Sequence, residues 1–388
     1  MVFGLTPRFS IGLTFAVFGV GTGLWMGASA ALIARSGVND AVFGSALAAF
    51  TLMYMFAMSA ASTLARFTSV KRVVVGSALA VCPTLALLLL AASPVQLICG
   101  LILYGLAGGV LDSAMNGEAA ALERALRAPI MARFHGLASA GAAIGAILGS
   151  AVVGGPMPWI GAALGVFLFV AAAAVFALTP AVEARRIAAG AGGLDARVLT
   201  RSLVVIGLVA GVSIACETAA MTWSPSLLRS EAPSLAPIVG LGGAFFAGCQ
   251  SILRLNADRL RAHIDDRGLI AISLGVSAAG FLIVAMPLGF AGSVAGFALY
   301  GFGAGAIVPC CFALAGTRPG VSAAASISAV AFFGLFPRVP APFAIGLIAS
   351  AFSLSAAFVA LAALLIAALA AVLVFVPAPN IVLRRAAP

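Results

Sequence analysis

The sequence predicts an all-α integral membrane protein with twelve transmembrane helices in two pseudo-symmetric six-helix bundles, and three observations lead to this prediction. Of the 388 residues, 63% are hydrophobic and only 8% are charged, whereas a soluble domain carries about 25% charged residues. The apolar residues form continuous runs of roughly 20, long enough to cross a bilayer as helices, and do not alternate as in a membrane barrel. A glycine-rich motif in the first half of the chain recurs in the second half.

Twelve apolar runs, separated by short polar, Gly or Pro breaks, define the predicted spans. They cover residues 11–34, 41–64, 73–91, 96–120, 133–154, 159–179, 202–222, 235–256, 268–287, 292–314, 321–349 and 353–376. The first run is too long for the apolar core of a signal peptide, so we interpret it as a span. The six Cys residues fall within spans and form no C-x-x-C pair, so we interpret them as small packing residues and expect no metal site.

The basic residues predict the orientation of the chain. If the N-terminus lies in the cytoplasm, eighteen of the 21 Lys and Arg residues fall in cytoplasmic segments, two (Arg35 and Arg229) lie outside, and Arg338 lies within a span. Because cytoplasmic loops carry the excess of Lys and Arg, both termini are expected in the cytoplasm. The same bias explains the net charge of +10, so no nucleic-acid partner is expected.

The longest polar connection divides the chain into two units. Residues 182–201 are predicted as a cytoplasmic linker between an N-terminal six-helix bundle (1–181) and a C-terminal six-helix bundle (202–388). The Tyr-Gly-Leu-Ala-Gly-Gly motif at 104–109 recurs as Tyr-Gly-Phe-Gly-Ala-Gly at 300–305, which is 196 residues later. A repeat of about half the length indicates a duplicated six-helix unit, which is typical of transporters with a binding site at the membrane midplane.

Residues in both halves carry a family resemblance. They include Gly19, Gly23, Trp25, the segment 37–44, Asp112, Asn116, Glu123, the segment 134–136, Glu217, Trp223, Arg254 and the segment 258–260. With these residues the sequence resembles the major facilitator superfamily, and within it a bacterial group that includes rhizopine-transport-type membrane proteins. The resemblance covers nearly the whole chain. It implies the fold of that superfamily, a monomeric secondary transporter without a cofactor, and a location in the bacterial inner membrane.

The resemblance also implies a cytoplasmic gate. In the second half, Asp258 and Arg259 match the acidic and basic positions of the superfamily's loop signature, and Arg254 lies four residues before Asp258, where an ion pair can form. The first half keeps Arg66 but has Ala65 at the acidic position. We expect Arg254, Asp258, Arg259 and Arg66 to form the gate, together with Glu123 and His135. The alternative is that these charges only anchor helix ends at the membrane surface.

Three ionisable residues lie deep in the predicted spans: Asp112, Glu217 and Arg338. Removal from water favours the protonated form of a carboxyl group and a nearby Arg favours the ionised form, so groups that meet and separate can act as a proton switch. We therefore expect Asp112 or Glu217 to carry a coupling proton, and Arg338 to pair with it or bind an anionic substrate. The alternatives are hydrogen bonds between helices for the carboxylates and snorkelling for Arg338. The prolines around Arg338 should break the eleventh span.

Other polar and aromatic residues within the spans could contact a substrate. They are Asn116, which lies one turn from Asp112, together with Gln250, Trp25, Tyr54 and Trp223. Each has a structural alternative: Trp223 lies near a span end, where an aromatic belt is common, and Tyr54 could pack against a neighbouring helix.

These residues predict a secondary active transporter that moves a small polar or anionic organic solute by alternating access, with protons and the lipid bilayer as its other partners. Proton-driven drug or metabolite efflux is one alternative. A non-transporting membrane sensor or assembly factor is another, because the gate motif is degenerate at Ala65. Met53, Met55 and Met58 suggest a Cu(I) permease, although no Met-x-x-x-Met pair is present. No enzyme is expected, because neither a nucleotide-binding loop nor a catalytic cluster is visible.

Overall fold

The computed structural model describes residues 5–128, 130–180, 182, 200–317 and 322–377. All regular secondary structure in this part of the chain is helical, and twelve helices are long and apolar enough to cross a membrane. The prediction of a twelve-span, all-α protein is confirmed. Residues 183–199, which form most of the predicted linker, lie outside the described residues.

The first half contains six spans. α1 (Pro7–Gly27) and the short α2 (Ser29–Ser36) form the first, and the others are α3 (Asp40–Phe67), α4 (Val70–Leu89), α5 (Pro94–Leu126), α6 (Met131–Leu148) with a π-helical end (Gly149–Val153), and α7 (Pro158–Leu178). Polar residues start several of these helices: the side chains of Asn39, Ser69 and Ser93 accept hydrogen bonds from backbone N–H groups of the first turn.

The second half repeats this arrangement. It comprises α8 (Arg201–Glu231), a 3-10 turn (Pro233–Ile238), α9 (Leu241–Arg261), α10 (Asp266–Ala285), α11 (Gly289–Gly316), α12 (Ala323–Arg338), α13 (Ala341–Ala351) and α14 (Leu354–Phe375). α12 and α13 together form the eleventh span, which is broken at Val339 and Pro340. The predicted proline break is therefore confirmed.

Successive spans run in opposite directions, so the bundle has two distinct ends. We call the end at which α1 and α8 begin the basic end, because Arg66, Arg72 and Arg124 lie there. The opposite end, which carries α2 and the start of α3, is the far end. Between the two halves, α6 packs against α9, and α13 packs against α3.

α1 and α6 approach each other so closely that their backbones touch. A Cβ atom added to Gly19, Gly23 or Gly27 of α1 would lie only 2.0–2.2 Å from a carbonyl oxygen of α6. The glycines of α6 and its π-helical end are equally close to carbonyl oxygens of α1, at 2.2 Å: Gly141, Gly145 and Gly149. Small residues four apart on both helices are what allow membrane helices to pack this closely.

Aromatic packing follows the internal repeat residue by residue. In the first half, the rings of Phe50 and Tyr104 stack with centroids 6.3 Å apart. In the second half, Phe246 and Tyr300, each 196 residues later, stack at 5.3 Å. These two ring pairs therefore pack at equivalent places in the two halves.

Glycines next to these rings identify a further pair of equivalent positions. A Cβ on Gly109 would lie 2.3 Å from the carbonyl oxygen of Tyr54, and a Cβ on Gly305 would lie 3.2 Å from that of Gln250. Both pairs are separated by the same 196 residues. Tyr54 and Gln250 thus occupy the same place in their respective halves, although their side chains differ.

Two cations bind the last carbonyl groups of a neighbouring helix at equivalent places. The Lys71 ammonium donates to the carbonyl oxygen of Thr179, just after α7. Arg267, which is 196 residues after Lys71, donates to the carbonyl oxygens of Leu373 and Val376 at the end of α14, at 2.9 and 2.7 Å. A cation at a helix C-terminus satisfies unpaired carbonyl groups and interacts favourably with the helix dipole.

We expect Lys71→Met to lower the free energy of unfolding by about 1 kcal/mol, since it removes this cap. The neighbouring Arg72 is exposed, so Arg72→Met should change stability by less than about 0.5 kcal/mol. Thermal unfolding of the purified protein in detergent measures both variants. Equal losses in the two variants would contradict the cap.

Candidate functional site

A cavity lies between the two halves, near the middle of the spans. It has a volume of about 160 Å³ and is bounded by α1, α3 and α5 of the first half and by α8 and α12 of the second. Phe18, Met26 and Phe50 form apolar parts of its wall, and Arg338 provides a positive charge. Five hydroxyl-bearing side chains complete the polar lining: Thr22, Thr51, Tyr54, Tyr104 and Thr218.

Contacts between the halves close the cavity toward the far end. The rings of Phe43 and Trp223 meet edge to face with centroids 5.1 Å apart. A Cβ on Gly44 would lie 2.5 Å from the Pro342 carbonyl oxygen and 2.9 Å from the Cα of Gly346, so α3 and α13 touch there. Among the described residues, α3 makes little contact with α12. The seam between α3 and the eleventh span is therefore tight on the far side of the cavity and loose on the basic side.

Asp112 lies beside this cavity, on α5. The Asn116 side-chain amide, one turn later, donates to Asp112 Oδ1 and to the Asp112 carbonyl oxygen, both at 2.9 Å. Tyr54, from the wall of the cavity, interacts with the Asp112 carboxylate. Asp112, Asn116 and Tyr54 thus form one polar cluster.

Arg338 is the last residue of α12, at the break in the eleventh span. It interacts electrostatically with Tyr54 and Asp112 across the cavity, and also with Glu217. Two ion pairs occur among the described residues, and Arg338 belongs to neither. The carboxylates therefore compensate its charge without binding it directly, and the guanidinium lines the cavity.

A second charged cluster forms around Glu217 of α8. Arg254 Nη2, on α9, lies 3.2 Å from Glu217 Oε2, and both side chains are about one-sixth exposed, at 16% and 17%. The Ser213 hydroxyl lies 3.5 Å from the other carboxylate oxygen. Because both charges are removed from most of the solvent, each depends on the other for compensation.

The second cluster also joins the two halves. Arg254 Nη1 donates to the hydroxyl oxygen of Ser139 on α6 at 2.9 Å, and the Ser139 hydroxyl donates to Gln250 Oε1 at 3.2 Å. Close by, the Ser251 hydroxyl donates to the Gly136 carbonyl oxygen at 2.9 Å. The α6–α9 seam is thus held by polar contacts at the depth where the α3–α12 seam is loose.

The internal repeat relates the two clusters at one position of each. The first cluster, of Asp112, Asn116 and Tyr54, interacts with Arg338 of the second half. The second cluster, around Glu217, consists of second-half residues and includes Ser139 of the first half. Tyr54 and Gln250 are equivalent positions. Arg338 lies one turn beyond Leu335, the counterpart of Ser139 at the offset of 196 residues. One cluster faces the cavity and the other lies in the α6–α9 seam.

The remaining residues predicted to bind substrate lie close to these clusters but not all line the cavity. Trp25 is fully buried behind Phe50 and Tyr104, with ring centroids at 5.4 and 6.1 Å. Trp223 is 1% exposed, so it does not belong to an aromatic belt. Gln250 is 3% exposed, and its Nε2 has no hydrogen-bond partner in the part of the chain described.

The residues predicted to form the gate are dispersed. Arg66 is exposed at the end of α3, and Arg259 donates to the side-chain oxygen of Asn256 at 3.1 Å. Asp258 belongs to α9, but its side chain lies outside what the structure describes. Among the side chains described, Arg66 and Arg259 share no partner.

Glu123 and His135 make other contacts. Glu123 Oε2 accepts hydrogen bonds from the backbone N–H groups of Ile130 and Met131, both at 2.8 Å, and so closes the turn into α6. The His135 ring meets the edge of Phe15 with centroids 5.4 Å apart.

Arg254 is the main residue whose role sequence reasoning missed. From the sequence, Arg254 is placed among the cytoplasmic cations. The structure corrects this prediction, because Arg254 lies seven residues before the end of α9 and pairs with Glu217. The predicted span 235–256 already contained it, and Gln250 lies one turn before it. Ser139 was also missed, since a lone Ser in a helix of small residues is no guide to a charged partner. Among the described residues, no three His, Cys, Asp or Glu side chains converge as a metal site requires.

Sequence comparisons identify relatives of this chain. The family model of the Major Facilitator Superfamily matches residues 11–337. An uncharacterized MFS-type transporter of Yersinia pestis is 32% identical over 94% of this chain and 94% of its own length. Uncharacterized transporter y4wD of Sinorhizobium fredii is 30% identical over 95% of this chain and 98% of its own. Membrane protein MosC of Rhizobium meliloti is 28% identical over 82% and 78%, respectively.

Solved structures share the fold. A mutant of nucleoside transporter NupG superposes with a TM-score of 0.76 at 14% identity, covering 96% of this chain and 100% of that one. An auto-inhibited peptide transporter of the POT family gives 0.75 at 14% identity, with 97% of both chains covered. At such low identity these matches establish the architecture alone.

Proposed function

The chain belongs to the major facilitator superfamily, and on that premise we propose that it is a secondary active transporter for a small polar or anionic organic solute. The family and the named relatives are transporters, not enzymes. The proposal goes further and assigns alternating access of the central cavity from the two sides of the membrane, driven by protons. It places the chain in the bacterial inner membrane as a monomer.

Arg338 carries this proposal. Its charge lines a cavity between the two halves, and no carboxylate lies within ion-pair distance of it among the described residues. A charge at that depth is costly, so it is retained where it has a function. An anionic group of a solute would supply the missing partner, because the planar guanidinium binds a carboxylate with two parallel hydrogen bonds.

Asp112 and Glu217 are the two candidates for carrying the coupling proton. Asp112 interacts with Tyr54, a wall residue of the cavity, and with Arg338, so a bound anion that engages Arg338 alters the charge balance at Asp112. Glu217 already has a direct partner in Arg254. We therefore assign the titrating role to Asp112, with Glu217 in a supporting one.

The charge distribution supports the proposed orientation. Arg66, Arg72, Arg124 and Arg259 all lie toward the basic end, and cytoplasmic loops carry such an excess. We place the basic end in the cytoplasm. In that orientation the tight far end faces the periplasm, and the loose α3–α12 seam corresponds to an inward-facing state. A gate at the basic end, formed by Arg66, Asp258, Arg259, Glu123 and His135, stays a prediction for the opposite state.

Reconstituted vesicles test the transport proposal. Ligands are first identified by the rise in thermal stability of the purified protein against organic acids, sugars, amino acids and vitamins, since a ligand of the folded state raises its apparent stability. We expect that adding such a ligand to vesicles in a medium more acidic than their interior drives both its accumulation and proton entry, followed with a trapped pH dye, and that a protonophore abolishes the accumulation. Binding without flux in either direction would favour the sensor alternative over transport.

A further inference from the structure

We propose that the central cavity selects a polyhydroxylated monocarboxylate, a solute with one carboxylate and several hydroxyl groups. This inference rests on the proposed function, because it concerns the solute that the same cavity takes. It uses two observations: the number of cations in the cavity wall, and the hydrogen-bonding capacity that the wall has left.

The charge of the wall matches a single carboxylate. Arg338 is the only cation among the described residues that line the cavity. The other cation at this depth, Arg254, is engaged by Glu217 and Ser139. A second carboxylate on the solute would face Asp112 and Glu217 without a cation of its own, and like charges at that depth repel. The wall therefore disfavours dicarboxylates.

Two threonines of the wall have already used their hydroxyl protons. Thr51 donates to the Leu47 carbonyl oxygen at 2.8 Å, and Thr218 donates to the Ile214 carbonyl oxygen at 3.0 Å. A hydroxyl group has one donor and two acceptor lone pairs. Toward the cavity, Thr51 and Thr218 can therefore only accept hydrogen bonds.

The other hydroxyl groups are similarly committed. Thr22 Oγ1 and the Tyr104 hydroxyl lie 3.3 Å apart and share a hydrogen bond, which leaves one free proton between them. Tyr54 interacts with the Asp112 carboxylate, which can only accept a hydrogen bond when it is ionised. Apart from Arg338, the wall thus offers more acceptors than donors, and a solute that fills it must bring its own O–H donors.

These features exclude two simpler solute classes. An alkyl carboxylate would satisfy Arg338 but would displace water from the threonine and tyrosine oxygens without replacing the hydrogen bonds, which costs binding free energy. A neutral polyol would satisfy these oxygens but would leave Arg338 without an anionic partner. A chain of hydroxylated carbons ending in one carboxylate meets both requirements, and its C–H groups can lie against Phe18 and Phe50.

Four probes of equal carbon number test this inference by calorimetric binding to the purified protein in detergent. D-Gluconate has one carboxylate and five hydroxyl groups, sorbitol lacks the carboxylate, hexanoate lacks the hydroxyl groups, and D-glucarate adds a second carboxylate. We expect gluconate to bind about tenfold or more tighter than each of the other three, the range for loss of a charged hydrogen bond or of several neutral ones. Binding of sorbitol, hexanoate or glucarate as tight as that of gluconate overturns the inference, and so does the absence of binding by all four.

Two variants test whether residues of the cavity wall cause the preference for gluconate. Arg338→Gln should weaken gluconate binding about 30-fold, to the level of sorbitol, and leave sorbitol binding unchanged. Thr218→Val should weaken gluconate and sorbitol about fivefold each but not hexanoate. Thr84→Val is the matched control, because the Thr84 hydroxyl also donates within its own helix, to the Val81 carbonyl oxygen at 3.0 Å, but does not line the cavity. A gluconate affinity unaffected by both wall variants contradicts the assigned site.

The two proposals fail in different ways. If gluconate and its analogues do not bind but another organic solute is accumulated in vesicles whose medium is more acidic than their interior, the solute class is wrong and the transport proposal stands. If gluconate binds with the expected preference but never crosses the membrane, the class stands and transport is wrong.

Discussion

Asp112→Asn protein is expected to lose proton-driven accumulation while it still exchanges solute across the membrane. A pH difference of about one unit is worth about 1.4 kcal/mol per proton, which supports about tenfold accumulation by the unaltered protein. An amide at position 112 keeps the size of the side chain and can still contact Tyr54 and Asn116, but it cannot carry the proton. The internal concentration of the solute should therefore not exceed the external concentration.

The measurement compares accumulation with counterflow exchange in vesicles preloaded with the same solute. Glu118→Gln is the matched control, since Glu118 is a buried carboxylate on the same helix, 8% exposed, that interacts with Lys71 at the basic end. Glu118→Gln should accumulate normally. If it loses accumulation to the same extent, coupling cannot be assigned to Asp112; if Asp112→Asn and Glu217→Gln both accumulate normally, neither residue carries the proton.

Arg254→Met is expected to reduce the free energy of unfolding by about 2–3 kcal/mol. Among the described residues, the substitution leaves Glu217 with the Ser213 hydroxyl at 3.5 Å as its one hydrogen-bond partner, and it removes the bond to Ser139 that joins the halves. Loss of one partner of a fully buried ion pair costs about 3–5 kcal/mol. The value expected here is lower because both side chains keep about one-sixth of their exposure, at 16% and 17%.

A double-mutant cycle separates the contribution of the Arg254–Glu217 ion pair to stability from the contribution of side-chain packing. In the Arg254→Met/Glu217→Gln protein no uncompensated charge is left, so at least half of the lost stability should return. Arg259→Met removes an exposed arginine from the same helix, one that donates to Asn256, and should cost less than about 0.5 kcal/mol. If the double variant loses the sum of the two single losses, Arg254 and Glu217 are not coupled.

Hydropathy predicts the twelve spans, and the three prolines around Arg338 predict the break, because both features are read from the residues along the chain. They could not predict which side of a helix faces the other half. Arg254 illustrates the difference: at residue 254 of a span predicted to end at 256, it could anchor the helix at the surface or turn inward, and only its meeting with Glu217 decides between them.

Trp223 presents the same difficulty with an aromatic residue. An aromatic side chain near a span end is expected in a membrane-surface belt, yet here it packs on Phe43 of the other half. From the sequence, Lys71 and Arg267 count only among the cytoplasmic cations that set the orientation of the chain in the membrane. Their second role, binding the ends of α7 and α14, depends on a neighbouring helix that is more than 100 residues away along the chain.

The contact between α1 and α6 has a mechanical consequence. Where two backbones touch, no side-chain rotamers are available to rearrange. The two helices therefore cannot move closer without steric overlap, and they cannot slide along each other without losing van der Waals contact. α1 supplies Phe18 and Thr22 to the cavity, and α6 is linked to α9 through Ser139 and Gly136. This wall of the cavity is therefore rigid, and any change in the width of the cavity must come from displacement of the other helices that bound it, α3, α5, α8 and α12.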